Sequence, residues 1–269
     1  MKRIFLITLF LGTFLTAFGA FEYKTGSFEF APNKKGYIFF PENYTPGMKC
    51  KFILFMHGRG YKPGNPGNFG QPPFANFRQM CSDKGYIVAV PQAHARWFND
   101  ANEKDVDEML DFLRKKLQMP LKRFHVMGGS MGGHAALMYA GKNSEKVISV
   151  CDFFGGVNVF KLAGDERFRK NLSDVYGGSV ETKKSYYNSR NAVNYASVYA
   201  TLPMLIIHGV KDVLVPIEHS RELVGAIRKI DGSNLKYIED PARGHTNEII
   251  RGKEQLVFDF FATAEKSNP

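Results

Sequence analysis

The chain has 269 residues, of which 44% are hydrophobic and 23% are charged, and its formal net charge is +10 at pH 7. This length fits one large domain, and no linker-like tract divides the sequence into two. The lysines and arginines are scattered, without a basic helix or a repeat of aromatic and basic residues, which argues against a nucleic-acid partner.

The first twenty residues have the features of a secretory signal peptide. A short basic region, Met1–Arg3, precedes an apolar run over residues 4–11, and small residues stand at Gly19 and Ala20. We predict cleavage after Gly19 or Ala20, a secreted or periplasmic location, and no stable membrane association after cleavage. An uncleaved amino-terminal anchor is the alternative. Residues 21–269 are then the mature domain.

From residue 28 onward, strand-like runs alternate with helix-like runs, which is typical of a mostly parallel sheet with helices on both faces. Residues 28–30 and 37–40 are predicted to form an opening antiparallel pair. The predicted buried strands span residues 52–56, 86–90, 124–127, 147–151, 204–207 and 235–238. Apolar residues at helical spacing predict an amphipathic helix over 106–117. The sequence therefore predicts an α/β fold with an eight-stranded sheet.

The first of these buried strands ends in the turn His57-Gly58-Arg59-Gly60. The backbone amide of Arg59 or of Gly60 is a candidate donor to an oxyanion that forms beside a nucleophile further along the chain. Residues 62–74, rich in Pro, Gly and Asn, follow directly. We interpret them as an ordered rim of the same site, with a mobile surface loop as the alternative.

Residues 128–132 read Gly-Gly-Ser-Met-Gly between a strand-like and a helix-like run, which is the GxSxG signature of a nucleophile elbow. Glycines remove side chains where the backbone reverses, so the hydroxyl of Ser130 is exposed above the sheet edge. Ser130 is the predicted nucleophile, and the amide of Met131, at a helix N-terminus, is a second candidate oxyanion donor. His134, one helical turn after Ser130, is a candidate substrate contact.

Residues 155–202 are the longest stretch without clear strand or helix periodicity. Long insertions in compact domains are often functional, so we predict a small cap over Ser130. Aromatic residues of this segment either form a wall for the substrate or pack within the cap itself. Tyr186 is the candidate substrate contact among them.

A serine hydroxyl needs a general base, and the base needs an acid that fixes its tautomer. The strand at 204–207 is followed by a loop that contains Asp212, and the strand at 235–238 by a loop that ends at His245. Both loops lie past the carboxyl ends of parallel strands, where ligands bind in open α/β sheets. We predict that Asp212 and His245 complete a catalytic triad with Ser130.

The remaining titratable residues give no second site. The other histidines are interpreted as packing or surface residues: His57, His94, His125, His208 and His219. Glu239 and Asp240 are interpreted as solvated carboxylates. No spacing of Cys and His predicts a metal, and no phosphate-binding glycine loop predicts a cofactor. The number of cysteines is odd, so at least one is unpaired within the chain; Cys151 is expected to be a buried thiol, and we consider a disulfide between Cys50 and Cys81.

In its elbow and in the order Ser, Asp, His, the chain resembles α/β-hydrolases from about Gly36 to Phe261. The segments 176–178, 189–195 and 203–216 resemble single-domain feruloyl and acetyl-xylan esterases and the prolyl oligopeptidase catalytic domain. Residues 85–92 followed by Trp97 resemble secreted feruloyl esterases and polyhydroxyalkanoate depolymerases, which makes Trp97 a candidate substrate contact. The chain departs from these families at Arg59, where they have glycine, and after Ser189, where a Ser-Pro is missing.

The resemblance implies a serine hydrolase that works through an acyl-enzyme without a metal or a cofactor. We expect an exported serine esterase whose substrate is a small-molecule or carbohydrate-linked ester, by resemblance a feruloyl or acetyl ester of plant cell-wall carbohydrate. A prolyl oligopeptidase-like peptidase is one alternative, although the chain has no room for the usual propeller domain. A catalytically silent hydrolase-fold binding protein is the other, although all three triad positions are filled. The sequence makes no prediction of the oligomeric state.

Overall fold

The computed structural model describes residues 21–92 and 97–267. Its centre is one eight-stranded sheet with the strand order β1-β2-β4-β3-β5-β6-β7-β8. The strands are β1 (Gly26–Ala31), β2 (Lys34–Phe39), β3 (Lys51–Met56), β4 (Tyr86–Val90), β5 (Phe124–Gly129), β6 (Val147–Phe153), β7 (Met204–Gly209) and β8 (Leu235–Asp240). Strand β2 pairs antiparallel with β1 and β4, and all other pairs are parallel. The predicted sheet is confirmed, with its opening antiparallel pair.

Helices connect the strands. They are α1 (Ala75–Asp83), α2 (Asp100–Leu117), α3 (Met131–Lys142), α4 (Val159–Gly164), α5 (Glu166–Tyr176), α6 (Lys184–Ser189), α7 (Ala196–Tyr199), α8 (Glu218–Arg228) and α9 (Glu254–Ser267). Short 3-10 helices span Gly67–Gly70, Pro72–Phe74, Ser144–Lys146, Ala192–Tyr195 and Asn247–Ile250. The predicted amphipathic helix is α2, which begins earlier than residue 106 because the side chain of Asn99 accepts a hydrogen bond from the amide of Asn102 and caps it.

The sheet separates two hydrophobic cores. Along β3, the side chains of Phe52, Leu54 and Met56 pack in one core, and those of Ile53 and Phe55 pack in the other, as the alternation of a strand requires. Helices α2, α3, α7 and α8 cover the first core, and helices α1 and α9 cover the second. Helices on both faces explain why the central strands β3 to β7 are mostly apolar, whereas the edge strand β8 is only partly buried.

The three cysteines are free. Cys50 contacts the core that α2 and α3 cover, whereas Cys81, on α1, is buried in the core on the other face of the sheet. The sheet therefore lies between the two thiols, and the disulfide considered between them is wrong. Cys151, on β6, is a buried thiol as predicted.

Residues 155–202 are mostly helical, so the expectation of an irregular segment is wrong. They contain α4, α5, α6 and α7, each of 11 residues or fewer. Leu162 and Phe168, from α4 and α5, pack in a third hydrophobic cluster with Trp97 and Met131. Because Met131 directly follows Ser130, this helical segment lies beside the predicted nucleophile.

The last turn of α9 is fixed to the amino ends of the parallel strands. Glu265 accepts hydrogen bonds from Lys51 Nζ at 2.6 Å and from the hydroxyl of Tyr86 at 2.8 Å, and its Oε1 lies 3.1 Å from His125 Nε2. Lys51 and Tyr86 are the first residues of β3 and β4. The carboxyl-terminal helix thus ends at the sheet edge opposite to the one where the strands end.

Two predictions fall on residues outside the described ranges: the signal peptide at residues 1–20, and the interpretation of His94 as a packing or surface residue. Within residues 21–92 and 97–267, no helix is both long and apolar enough to span a membrane.

Candidate active site

Ser130 stands on a sharp turn between β5 and α3. Its φ and ψ are 59° and −126°, a conformation that side chains other than glycine rarely adopt. Its amide donates to the carbonyl of Phe153 at 2.9 Å, and its carbonyl accepts from the amide of His134 at 3.1 Å. These hydrogen bonds to β6 and to the first turn of α3 hold a strained residue in place, which is typical of a functional site.

The glycines of the elbow permit close backbone contacts. A Cβ atom on Gly132 would lie 2.0 Å from the carbonyl oxygen of Met56, and one on Gly128 would lie 2.3 Å from the carbonyl oxygen of Gly132. Side chains at these positions would separate α3 from β3 and β5. The elbow therefore requires glycine on both sides of Ser130 for steric reasons.

The structure brings Ser130, His245 and Asp212 together. The Nε2 atom of His245 lies 2.8 Å from Ser130 Oγ, and its Nδ1 lies 2.7 Å from Asp212 Oδ2. An ionised carboxylate only accepts hydrogen bonds, so Nδ1 carries the proton and Nε2 is free to accept from the serine hydroxyl. The loops after β5, β7 and β8 supply the three residues, and these strands are neighbours or next neighbours in the sheet.

Asp212 is held as a carboxylate by four donors. Its Oδ1 accepts from the amides of Leu214 and Val215 at 2.9 and 2.8 Å, and its Oδ2 lies near His245 Nδ1 and 3.3 Å from His208 Nε2. Burial alone would raise the pKa of Asp212, but the hydrogen bonds from the two imidazoles and from the Val215 amide outweigh burial and lower it below its ordinary value. The residue beside His245 is thus negatively charged across the neutral pH range.

His208 has a position that the sequence analysis missed. Its Nε2 lies 2.9 Å from the carbonyl of Val215, which only accepts, so Nε2 carries a proton that is also directed at Asp212. Its Nδ1 lies 2.6 Å from the hydroxyl oxygen of Ser220. His208 is fully buried and orients the acid. The only sequence signal was its place at the end of β7, four residues before Asp212.

The candidate oxyanion donors differ in position. The amide of Met131 is the first of α3 and has no intrahelical partner, because the first amides of a helix never do. Arg59 lines the same cavity as Ser130, whereas Gly60 is not among its lining residues. The amide of Gly58 already donates to Asn68 Oδ1 at 2.6 Å. Of the two residues considered for the second donor, Arg59 is the one that lines the cavity, which keeps its amide as the candidate.

A cavity of about 300 Å³ opens in front of Ser130. Its lining residues are Gly58, Arg59, Tyr61, Asn68, Trp97, Ser130, Met131, Phe154, Arg167, Phe168, Leu214, His245, Thr246 and Asn247. Of the segment 62–74, Asn68 lines the cavity, and its side chain donates to Asn247 Oδ1 at 2.8 Å. In the described part of the chain, no group of three or more His, Cys, Asp and Glu side chains is placed to hold a metal ion.

Of the three predicted substrate contacts, only Trp97 lines this cavity. His134 is fully buried, its Nδ1 donates to the carbonyl of Gly156 at 3.0 Å, and burial lowers its pKa to about 4. The hydroxyl of Tyr186 accepts from the amide of Asp100 at 3.1 Å, at the start of α2. Both residues were predicted from their distance along the chain to Ser130 or to the cap, and neither reaches the cavity, so both assignments are corrected.

The aromatic residues of the helical segment divide between the two predicted roles. Phe168, on α5, lines the cavity. Tyr176 and Tyr187 are buried in the third hydrophobic cluster, and the hydroxyl of Tyr176 donates to the carbonyl of Trp97 at 2.8 Å. Most of these rings therefore pack within the segment itself, where they contact Trp97 and not the cavity.

A second buried carboxyl group lies next to the elbow. Asp152 is on β6 and is fully buried; its Oδ1 accepts from the amide of Gly155 at 2.9 Å, and its Oδ2 has no hydrogen-bond partner among the described residues. Burial raises the pKa of Asp152 to about 7, against smaller opposing effects of His208 and the Gly155 amide. A single acidic residue within an apolar strand gave no sequence signal for this.

The BD-FAE family model matches residues 38–227 of the chain. The matched range includes Ser130 and Asp212 and ends before His245.

Among curated proteins, the esterase LipC of Mycobacterium tuberculosis is 36% identical over 50 residues, which are 19% of this chain and 12% of LipC. The uncharacterized peptidase YuxL of Bacillus subtilis is 25% identical over 240 residues, which cover 78% of this chain and 33% of YuxL. The chain thus matches only a minor part of the length of either relative.

Among solved structures, the S-formylglutathione hydrolase from Agrobacterium tumefaciens superimposes with a TM-score of 0.70 and a sequence identity of 16%. The match covers 86% of this chain and 90% of that one. At this identity the comparison concerns the fold, which is that of the α/β-hydrolases.

Proposed function

The chain belongs to the BD-FAE family of hydrolases, and we propose that it is a serine carboxylic ester hydrolase. The observation that carries this proposal is the hydrogen-bonded triad of Ser130, His245 and Asp212 at the cavity. The local similarity to an esterase supports the same activity.

In the proposed mechanism, Ser130 Oγ attacks the ester carbonyl while His245 Nε2 takes the hydroxyl proton. Asp212 keeps the imidazole in the required tautomer and stabilises the imidazolium. The amides of Met131 and Arg59 donate to the oxyanion, and each such donor is worth about 10² to 10³ in turnover. The tetrahedral intermediate then expels the alcohol, which takes the proton from His245 Nε2 and leaves an acyl-enzyme at Ser130.

Water completes the cycle. His245 Nε2 takes a proton from a water molecule, whose oxygen attacks the acyl carbonyl. The second tetrahedral intermediate collapses, Ser130 Oγ recovers its proton from the imidazolium, and the carboxylic acid leaves. The triad therefore acts in two steps: it forms the acyl-enzyme with release of the alcohol, and it then activates water to hydrolyse the acyl-enzyme. Neither step uses a metal or a cofactor.

The proposed substrate is an acyl ester, feruloyl or acetyl, of plant cell-wall carbohydrate. The resemblance to feruloyl and acetyl-xylan esterases supports this class. The character of the cavity suits such a substrate, because Trp97 and Phe168 contribute apolar residues to its lining and Tyr61, Asn68 and Asn247 contribute polar ones.

The test is the replacement Ser130→Ala, with the exposed serine replacement Ser185→Ala as a matched control. Hydrolysis of a chromogenic acetate ester and labelling by a fluorophosphonate probe should both disappear in Ser130→Ala and persist in Ser185→Ala, at unchanged circular dichroism. Retained hydrolysis in Ser130→Ala would refute the proposal. A panel of feruloyl, acetyl and longer acyl esters then assigns the acyl group.

A peptidase activity is the second candidate, because 78% of this chain aligns with the uncharacterized peptidase YuxL. With the same triad, Ser130 would attack the carbonyl of a peptide bond and become acylated. Matched ester and anilide substrates with the same acyl group separate the two activities. We expect turnover of the ester alone; comparable turnover of the anilide would favour the peptidase.

We also propose that the protein is exported and that residues 1–20 are removed. The basic region, the apolar run and the small residues at the end of that segment support this. Mass spectrometry of the protein from the culture medium or periplasm should find a chain that begins at Ala20 or Phe21. A chain that retains residues 1–20 would favour the anchor.

A further inference from the structure

The described residues that line the cavity at Ser130 include cations but no carboxylate side chain. The cations are Arg59 and Arg167. Asp212, the nearest functional carboxylate, is buried behind His245 and saturated with donors. A substrate in this cavity therefore meets positive groups that no neighbouring protein anion within the cavity balances.

The two arginines differ in how much of their charge is available. The guanidinium of Arg167 forms an ion pair with Asp165 and donates to the carbonyl of Val213 at 2.8 Å, so its charge is already matched. Arg59 is exposed and has no hydrogen-bond or ion-pair partner among the described residues. It also occupies a turn position where the families that the chain resembles have glycine, so the oxyanion function of the turn does not explain its side chain.

We propose that the substrate carries a carboxylate close to the scissile ester and that the guanidinium of Arg59 binds it. A guanidinium presents paired N–H donors that match the two oxygens of a carboxylate. The net charge is +10 for the whole chain, and the loss of Lys2 and Arg3 lowers it by 2 to +8 for residues 21–269, which favours the approach of an anionic substrate. This inference rests on the proposed ester hydrolysis and narrows its substrate to acidic esters. The carboxylate belongs either to the alcohol of a feruloyl or acetyl ester, as in a uronic acid acylated on a hydroxyl group, or to a different acyl group that would replace feruloyl and acetyl in the proposed substrate.

Two matched pairs of substrates distinguish these sources. The acyl pair is 4-nitrophenyl hydrogen adipate and its neutral methyl ester, followed by release of 4-nitrophenolate. The alcohol pair is an O-acetylated methyl galacturonoside and its primary amide, followed by release of acetate. In one of the two pairs, the wild-type protein should hydrolyse the anionic member with a kcat/KM about tenfold higher than that of the neutral member. This factor lies between the effect expected of an exposed ion pair and that of a bidentate, charge-assisted one. Added salt should reduce this preference.

The replacement Arg59→Gln removes the guanidinium but keeps the backbone amide, and it should abolish the preference, whereas Arg59→Lys should retain part of it. Lys62→Gln is the matched control, because it removes an exposed cation from the same loop but outside the cavity lining, and its preference should equal that of the wild type. Equal kcat/KM within both pairs, or a preference that survives Arg59→Gln, would overturn the inference. Turnover of the chromogenic acetate ester but of none of the four compounds would overturn the inference alone, whereas failure on the acetate ester as well would overturn the ester hydrolase itself.

Discussion

Replacing Asp152 with asparagine should stabilise the protein at alkaline pH relative to the wild type. The carboxyl group is fully buried, and burial raises its pKa from 3.8 to about 7. Because the folded state holds the proton more tightly, the contribution of this group to stability is full below pH 3.8. It declines as the pH rises and is lost once the pH passes about 7.

The size of the effect follows from the two pKa values. Between pH 5 and pH 8.5 the folded group passes through about two units of this decline, which corresponds to about 3 kcal/mol at 1.36 kcal/mol per unit. Asparagine does not titrate, so its contribution to the free energy of unfolding does not change with pH. The change in the free energy of unfolding caused by Asp152→Asn should therefore be more favourable at pH 8.5 than at pH 5 by up to about 3 kcal/mol.

Urea unfolding of both proteins at the two pH values measures this difference, and any steric effect of the replacement cancels in it. Asp83→Asn, at an exposed position on α1, serves as the control and should give the same change at both pH values. If Asp152→Asn gave the same change at pH 5 and pH 8.5, Asp152 would not be a buried acid with a raised pKa, and the reasoning would be refuted.

Three further predictions test the site. Asp212→Asn should lower kcat by about 10³ to 10⁴, because the amide no longer selects the tautomer of His245 in which Nδ1 is protonated; kinetics with a chromogenic ester measure this, and a loss below tenfold would contradict it. Gly132→Ala should lower the free energy of unfolding by about 3 kcal/mol or more, since its Cβ would lie 2.0 Å from a carbonyl oxygen of β3, whereas Gly225→Ala, with no atom within 4 Å, should be neutral or stabilising in the same urea titration. Tyr186→Phe should cost about 1 kcal/mol of stability for its lost hydrogen bond and leave KM unchanged; a severalfold rise in KM would place this ring in the cavity after all.

The sheet could be predicted from the sequence because its central strands, β3 to β7, are mostly apolar runs, which indicates strands buried on both faces. The three proposed catalytic residues could be predicted because each lies just past a strand end, and parallel strands end at one edge. Ser130, Asp212 and His245 therefore needed only the strand boundaries, not the packing, to be placed together.

The parts that sequence analysis missed depend on turn conformations and on packing between segments. His208 and Asp152 are polar residues in apolar strands. Gly155, Asp212 and Val215, their partners, follow within seven residues, but the sequence pattern does not give the turn conformations that bring these groups into contact. His134 lies on the same helix as Ser130, but helical spacing does not say which neighbour covers its face. The short helices between residues 155 and 202 have too few turns to show a clear period of 3.6.

The anchoring of Glu265 to Lys51 and Tyr86 has a practical consequence for attaching the protein to other materials. These contacts place the end of α9 at the amino edge of the sheet, while Ser130 lies at the carboxyl edge. A bead, an electrode or a carbohydrate-binding module joined behind α9 would therefore sit on the far side of the molecule. The cavity at Ser130 would then face away from the attached material and stay accessible to a substrate.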